Sequence, residues 1–489
     1  MKTIRSSIHQ AFGLVVVGSV ALSSQMQAVV PPPDGGYPNF TTAEGDNALK
    51  ALTTGVGNTA VGTFSLFSVS TGNFNTAVGA GALDLNTADN NTAVGVAALL
   101  FNTTGSNNTA NGVAALELNN GQSNTATGAL ALFSNTTGNF NTANGAGALV
   151  DNTVGVGNTA CGASVLLHNT TGSSNTATGG NALINNTTGS FNTAVGVNAL
   201  FANAAGSHNT ASGYEALINN AADDNTAYGY QALQSNIIGV NNTAIGKTAL
   251  ESNTGFSNTA IGDSALIANT SGSANTAIGL GALFENQSGS DNIGLGTNTG
   301  INVVTADHVI CIGDNVGGAD VSHTCFIGNI RGTTTINNDA VPVVIDSNQQ
   351  LGTVSSSRRY KTDITPIEKA SESILALKPV SFRYKVHKDS TPHFGLIAED
   401  VAAVNPNLVI YDGDGKPYTV RYDAVNAMLL NEFLKEHRKV ESLEKAVVEQ
   451  QKENAAMRAM LREQAAQIQK VSARLELNIP EPQTVLNSR

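Results

Sequence analysis

Between residues 58 and 292, apolar side chains recur in a fixed frame of polar ones, every sixteen or seventeen residues. The tripeptide Asn-Thr-Ala starts at Asn58, Asn75, Asn91, Asn108, Asn124, Asn141, Asn158, Asn175, Asn192, Asn209, Asn225, Asn242, Asn258 and Asn275. "NIGLG" at Asn292 is a degraded fifteenth copy. A full unit reads "NTAVGVNALFANAAGSH", residues 192–208. So short a period cannot hold a helix pair or a propeller blade; it fits one coil of a β-solenoid. In "TAxG" the side chains alternate, so Ala and Gly share one face while Thr and a variable residue share the other. The frame predicts a short strand at "TAxG", a turn, a second short strand around "AL", and a loop at "NTTGS". Alanine in every coil implies a narrow interior. The Leu of each "AL" and the apolar variable residues then need another surface to cover them, most simply a second copy of the chain. The recurring Asn can bond to its copy in the next coil, as in an amide ladder. Fifteen coils at roughly 4.8 Å make a stack on the order of 70 Å long.

The period fades after residue 300. "HVICIG" (308–313) and "HTCFIG" (323–328) keep the form of a strand followed by Gly. "VPVVID" (341–346) is a β-rich run and "SNQQLG" a turn signal. Near the C-terminus the pattern becomes helical. Val440, Leu443, Val447, Gln450, Asn454, Met457, Leu461, Gln464, Ile468, Val471 and Leu475 follow 3-4 spacing, a coiled-coil seam whose polar members fix register. A single amphipathic helix packed on its own domain would show the same spacing. At the other end Lys2 and Arg5 precede the apolar run "AFGLVVVGSVAL" (11–22), with a small-residue cleavage site ending at Ala28. This reads as an export signal, followed by a stiff lead-in, "VVPPPDGGYP". An anchor helix is the alternative, but twelve apolar residues span a bilayer poorly.

Charge sharpens this division. Net charge is −12, yet from residue 38 to 330 the only basic side chains are Lys50 and Lys247, and 20 of the 25 Lys and Arg lie from Arg358 onward. The repeats therefore offer no cations to phosphates, and nucleic acid is not an expected partner. The thirteen acids from Glu44 to Asp291 share no repeat position, so neither paired catalytic carboxylates nor a calcium-binding repeat can be selected. His168 and His208 read as solvated loop residues. Cys161 replaces Val, Thr or Ile of other repeats and reads as a small packed side chain. Cys311 and Cys325 either pair or occupy matching places in two successive coils. No metal-ligand spacing occurs, and no cofactor is expected.

Candidate chemistry is confined to "SSSRRYKTDI", residues 355–364. On composition this is a serine linker with a solvated charge run. Ser356 and Lys361, five apart, lie about 140° apart on a helix and on opposite faces of a strand, so they meet only across a turn. Ser357 and Lys361, four apart, would meet on a helix without one. Spacing alone does not nominate Ser356.

Two resemblances extend this reading. The "NTAVG", "NTAIG" and following "AL" elements resemble the left-handed β-roll head of trimeric surface adhesins of the YadA-like type, over about 58–330. "YKTDITPIEKASESILALKPVSFRYK", "HFGLIAEDVAAVNPNLV" and "VRYDAVNAMLLNEFLKEHRKVESLE" resemble, in order and spacing, the intramolecular chaperone domain of phage endosialidases and tail fibres, the S74 peptidase family. That family carries Ser-Asp-x-Arg-Leu-Lys, with a catalytic Ser five residues before a catalytic Lys. The resemblance places the nucleophile on Ser356 and the base on Lys361, with Arg359 at the Arg position and Glu399, within "GLIAED", as a further supporting residue. Ser357 stands where the family has Asp, and Tyr360 where it has Leu. The implied reaction is single-turnover self-cleavage of the Ser355–Ser356 bond after trimer assembly.

The expected molecule is mainly β. It comprises a signal peptide (1–28), a Pro/Gly-rich lead-in (29–44), the solenoid repeats (45–300) and a β-rich junction (301–355). A small α+β chaperone (356–435), a coiled coil (436–476) and a tail (477–489) follow. It is expected to be an exported homotrimeric fibre at a cell surface or outside the cell, with no membrane span after signal removal and an unspecified surface glycan or protein ligand. The alternative is an uncleaved structural adhesin or tail-fibre-like protein that keeps its C-terminal domain as a permanent clamp.

Overall fold

The computed structural model describes residues 38–336, 339–385 and 391–477, so the proposed signal peptide lies outside the described residues. The chain divides between Ile336 and Asn337 into two units.

The first unit is a parallel β-solenoid. Each coil contributes one three-residue strand, from β1 (Thr42–Glu44) and β2 (Thr59–Val61), through β8 (Thr159–Cys161), to β16 (Ile293–Leu295), β17 (Ile310–Ile312) and β18 (Cys325–Ile327). Successive strands pair in register, Thr on Thr and Ala on Ala, from the first coil into β15 (Thr276–Ile278). Eighteen strands stack, so the solenoid extends beyond the fifteen evident repeats. One further coil precedes them at β1, and "HVICIG" and "HTCFIG" form the last two.

The physical reason for the single strand is the width of the coil. From β2 to β15 the Ala of each strand is fully buried while its Thr and third residue face outward. The Gly that follows turns the chain. At Gly62, φ is +130° and an added Cβ would come within 2.7 Å of the backbone of Gly79 in the next coil, so no side chain fits between coils there. The chain then reverses through "AL" as a turn rather than the expected second strand. Leu83, for instance, takes φ of 53°, and its N–H donates to Ala98 of the next coil at 3.0 Å. A left-handed Leu costs roughly 1–2 kcal/mol, but full burial of its side chain returns about 1.5–3 kcal/mol. Burial wins because this conformation aims the Leu into the coil. The Leu column therefore needs no covering surface, contrary to expectation: Leu66, Leu83, Leu99 and their successors are fully buried inside the stack.

Two columns of asparagine share that interior. Asn58 Oδ1 accepts from the Asn75 N–H at 3.0 Å and from Asn75 Nδ2 at 3.1 Å, and the pattern repeats from coil to coil. This is the expected ladder. A second ladder, not anticipated, runs through the Asn opening each loop: Asn102 Nδ2 donates to Asn86 Oδ1 at 2.8 Å, and Asn119 Nδ2 to Asn102 Oδ1 at 3.0 Å. Cross-bonds such as Asn91 Nδ2 to Asn86 Oδ1, at 3.2 Å, join the two. These amides are fully buried, and each finds partners in its neighbours, so the cost of burying them is met within the stack.

The cysteines differ from expectation. Cys161 occupies the outward third place of β8 and is exposed. Cys311 is aligned with Phe326, and Cys325 with Ile310, so the two thiols are one residue out of register. Cys311 points inward and is buried, Cys325 is exposed, and both are free. Strand alternation sets this, since a one-residue offset moves a side chain to the opposite face.

In the second unit β19 (Val344–Ile345) and β20 (Leu351–Gly352) form a small antiparallel hairpin. Asp346 closes its turn by accepting from the N–H groups of Asn348 and Gln350, each at 2.9 Å. Two further antiparallel pairs follow: β21 (Val380–Phe382) with β22 (His393–Gly395), and β23 (Val409–Tyr411) with β24 (Pro417–Val420). Helix α1 (Ala398–Val404) packs on β24, and a helix of 55 residues, α2 (Tyr422–Glu476), ends the described chain. The apolar core here is small: Val401, Leu408, Val409 and Val420, lined by residues such as Ile374, Leu396 and Val425.

Candidate functional site: the serine turn and the helical clasp

The three serines at 355–357 precede a short 3-10 turn, Arg358–Tyr360, closed by the Lys361 N–H donating to the Arg358 carbonyl at 3.2 Å. A turn thus stands between Ser356 and Lys361, the element their five-residue spacing requires. The serines on either side serve that turn. Ser357 caps it, its hydroxyl accepting from the N–H and Nε of Arg359, both at 3.4 Å. Ser355 Oγ accepts from the Ser357 N–H at 3.2 Å. Ser356 has no hydrogen bond among the described residues, and its side chain is exposed, as is that of Lys361. No hydrogen bond joins the two in the single chain. Ser357 and Lys361 do not share a helix, so the alternative pairing by helical spacing is not realised.

The supporting residues stand in separate elements. The Arg359 guanidinium is 5.6 Å from the ring centre of its neighbour Tyr360 and is exposed. Glu399 sits exposed in the first turn of α1, where its charge suits the positive end of the helix. Ser356, Arg359, Lys361 and Glu399 are all exposed in the single chain.

A polar clasp gives this unit the definition its small core cannot. Ser371, fully buried in the 3-10 segment Glu368–Ala376, donates to the Glu368 carbonyl at 3.0 Å and lies in a short contact with the carboxylate of Glu432 on α2. Asn431 Nδ2 donates to Ser371 Oγ at 2.7 Å, and Lys435 Nζ lies 2.6 Å from Glu432 and 3.6 Å from Glu372. Lys435 and Ser371 hold the Glu432 carboxyl below its ordinary range, and Glu432 raises Lys435. Tyr422, the first residue of α2, accepts through its hydroxyl from the Leu396 N–H at 3.1 Å. Sequence reasoning missed this clasp. Its only trace was the i, i+3 pair of Glu432 and Lys435, ordinary for any surface helix.

Beyond the clasp, α2 has no buried residue. Val440, Leu443, Val447, Met457, Leu461, Ile468, Val471 and Leu475 are all exposed, in the spacing read from the sequence. The single-domain alternative, a helix packed along its own unit, does not hold for this stretch.

In the solenoid His168 and His208 are exposed, but each engages the neighbouring coil. His168 Nδ1 lies 2.9 Å from Asp151 Oδ2, and His208 stacks on Phe191 at 5.2 Å. No curated protein and no solved structure matches this chain. Residues 356–410, beginning at Ser356 and running through β23 as far as Ile410, match the family model for the chaperone of endosialidase, Peptidase_S74.

Proposed function

We propose that this chain is an exported, homotrimeric fibre whose C-terminal unit directs assembly and then cuts itself free. The observation that carries this reading is the helix α2. Fifty-five residues long, it leaves every apolar member of its seam from Val440 to Leu475 exposed in a single chain. An exposed seam of this length is covered most simply by parallel copies of itself. The small core of the unit agrees, because Leu375, Phe394, Tyr418 and Phe433 also stand exposed and await partners. The solenoid explains the need for such a clamp. Near-identical coils pair equally well in many registers, and an aligned set of C-termini removes that freedom.

In the proposed reaction Ser356 Oγ attacks the carbonyl carbon of Ser355 while Lys361, as the neutral amine, takes its proton. The Ser355–Ser356 peptide bond breaks, its nitrogen accepts a proton and becomes the new N-terminus of the released piece. Water then hydrolyses the ester that joins Ser355 to Ser356 Oγ, leaving a carboxylate on Ser355. A lysine acts as base only when desolvated or crowded by cations. In this proposal packing between subunits removes water from around Lys361 and so supplies the first condition. The released piece is residues 356–489, 134 residues. Intact-mass spectrometry of the purified product is the test. Wild type should lose that fragment and Ser356→Ala should retain it; a fragment lost equally from both would remove Ser356 from the reaction.

A second reading, a permanent uncleaved clamp, is favoured by one observation: the Ser356 and Lys361 side chains are both exposed, and no hydrogen bond joins them in the single chain. Trimers that keep their full mass indefinitely would establish it. The ligand of the repeats is proposed only as a surface glycan or protein.

A further inference from the structure

The solenoid departs from its own composition at one place. Among residues 38–336 the tyrosines are Tyr214, Tyr228 and Tyr230, all in two successive coils. Between Lys50 and Arg331 the only basic side chain is Lys247, in the coil that follows. These three coils carry β11 (Thr210–Ser212), β12 (Thr226–Tyr228) and β13 (Thr243–Ile245). Tyr214, Tyr230 and Lys247 hold the same place, directly after the strand glycine, where earlier coils have Ala129, Ala146, Ala163, Gly180 and Val197. The coils are aligned there: the Gln231 N–H donates to the Tyr214 carbonyl and the Thr248 N–H to the Tyr230 carbonyl, each at 2.9 Å.

The rings of Tyr214 and Tyr230 stack with centres 5.4 Å apart and planes within 10°, yet 45% of Tyr214 and 47% of Tyr230 stays exposed. A row of hydrogen-bonding side chains runs beside them. Gln231 Nε2 and Gln234 Nε2 donate to Glu215 Oε2 at 2.9 and 3.2 Å, and in the two coils before, Asn181 Nδ2 donates to Asn198 Oδ1 at 3.3 Å. Gln231, the Tyr214 hydroxyl and Gln234 hold the Glu215 carboxyl below its ordinary range, so it is an acceptor at neutral pH. Each Gln amide that donates to Glu215 keeps a carbonyl oxygen able to accept from a hydroxyl. Lys247 is exposed, and among the described residues its ammonium has no ion pair or hydrogen bond. Open aromatic rings, acceptors beside them and one unpaired cation match a ligand with an apolar ring face, hydroxyls around its edge and a negative charge at one end.

We propose that the turns after β11, β12 and β13 form a subsite for an acidic glycan. One sugar lies on the tyrosine pair through its C–H face, its hydroxyls bond Glu215 and the flanking Gln amides, and the carboxylate of a neighbouring sugar meets Lys247. This rests on the reading of the repeats as a surface-binding rod and narrows it to one place and one ligand class. Lys247 is two coils on from Glu215, on the order of 10 Å along the stack, which keeps the charge of the ligand away from that carboxylate.

The experiment applies the labelled full-length protein to an array of oligosaccharides of galacturonate, glucuronate and other sugar acids, each printed beside its carboxyl methyl ester. Wild type should retain acidic members. Esterifying the carboxylate, or Lys247→Gln, should weaken retention about tenfold, the worth of one charge-assisted contact. Tyr230→Ala should abolish retention, whereas Tyr230→Phe, which keeps the ring, should hold it within about twofold. If Tyr230→Ala lowers the melting temperature, Lys247→Gln decides alone, because an exposed unpaired lysine contributes little to the fold. Equal retention of acids and esters, or full retention by Lys247→Gln, would overturn the acidic assignment. Retention unchanged in both Tyr230→Ala and Lys247→Gln would place binding elsewhere, and an array that retains nothing would remove the subsite. Light scattering and intact mass of the same samples are read separately. A trimer that releases 356–489 but binds no glycan fails here alone, whereas a single-chain mass counts against the trimeric reading whatever the array shows.

Discussion

Thr299 carries its hydroxyl into the interior at the place where the preceding coil has Ala282, and Oγ1 is buried there with no hydrogen-bond partner. An orphaned buried hydroxyl costs about 1–3 kcal/mol. Thr299→Val keeps the shape and removes the orphan, so the melting temperature of the solenoid should rise; an unchanged or lower value would mean that Oγ1 is satisfied. Asp320 shows the opposite case. Its carboxylate accepts from the N–H groups of Thr305, Val304 and Ala306 at 2.8, 2.9 and 2.7 Å, and from the Thr305 hydroxyl at 3.0 Å. The Thr305 and Val304 amides, chiefly, hold it down to about 2, against 3.8 for a free Asp. A depressed acid favours the folded state above its unfolded value, so this contribution is complete above about pH 4 and disappears as pH falls towards 2. Asp320→Asn should flatten that part of the stability–pH curve, read by urea unfolding between those limits. Neither residue was identifiable from the repeat. Both sit where the period fades and the Asn columns give out, and their roles depend on which atoms the neighbouring coil presents.

At the scale of the element, the coil behaves as two amide ladders wrapped around a column of Leu and Ala. Asn175 shows the coupling. Its Oδ1 accepts from the Asn192 N–H at 3.0 Å and from Asn192 Nδ2 at 3.1 Å, while its Nδ2 donates to Asn158 Oδ1 at 3.1 Å and to the Gly189 carbonyl at 2.9 Å. Asn175→Ala leaves buried donors and acceptors unpaired on both sides, and should cost roughly 2–4 kcal/mol in denaturant unfolding. Thr176→Ala, one residue on but facing outward, should cost less than about 0.5 kcal/mol. Equal effects would refute the ladder as a source of stability. The first ladder was legible because Asn-Thr-Ala marks its own period. The second was equally periodic, at Asn86, Asn102, Asn119 and onward, and went unread because Asn in a Thr- and Gly-rich loop looks like turn chemistry. The "AL" strand failed for another reason. Alternation and β-propensity describe an extended chain, whereas a narrow coil must reverse there, and burial of Leu outweighs its left-handed strain.

At the scale of the molecule, the seam of α2 and the serine turn make one joint prediction. Leu461→Asp, far along the helix from Ser356 in sequence, should abolish the trimer in light scattering and should also abolish release of 356–489 in intact mass. Monomers that still cut themselves would separate cleavage from assembly and remove subunit packing as the source of the lysine's activation. The solenoid, its period, the inward Ala and the helical seam were readable along the chain, because each of these repeats and a repeat states its geometry many times over. The serine turn was readable too, through a resemblance that the match over 356–410 supports. Folding in three dimensions settled the rest: which side of the coil each Leu and each cysteine faces, that the coils continue at both ends beyond the evident repeats, and that Ser371, Asn431, Glu432 and Lys435 fasten the long helix. Those outcomes depend on how one coil or segment meets the next: the Leu turn repeats but shows its direction only once the coil is closed, and the clasp is made once, between residues that no period connects.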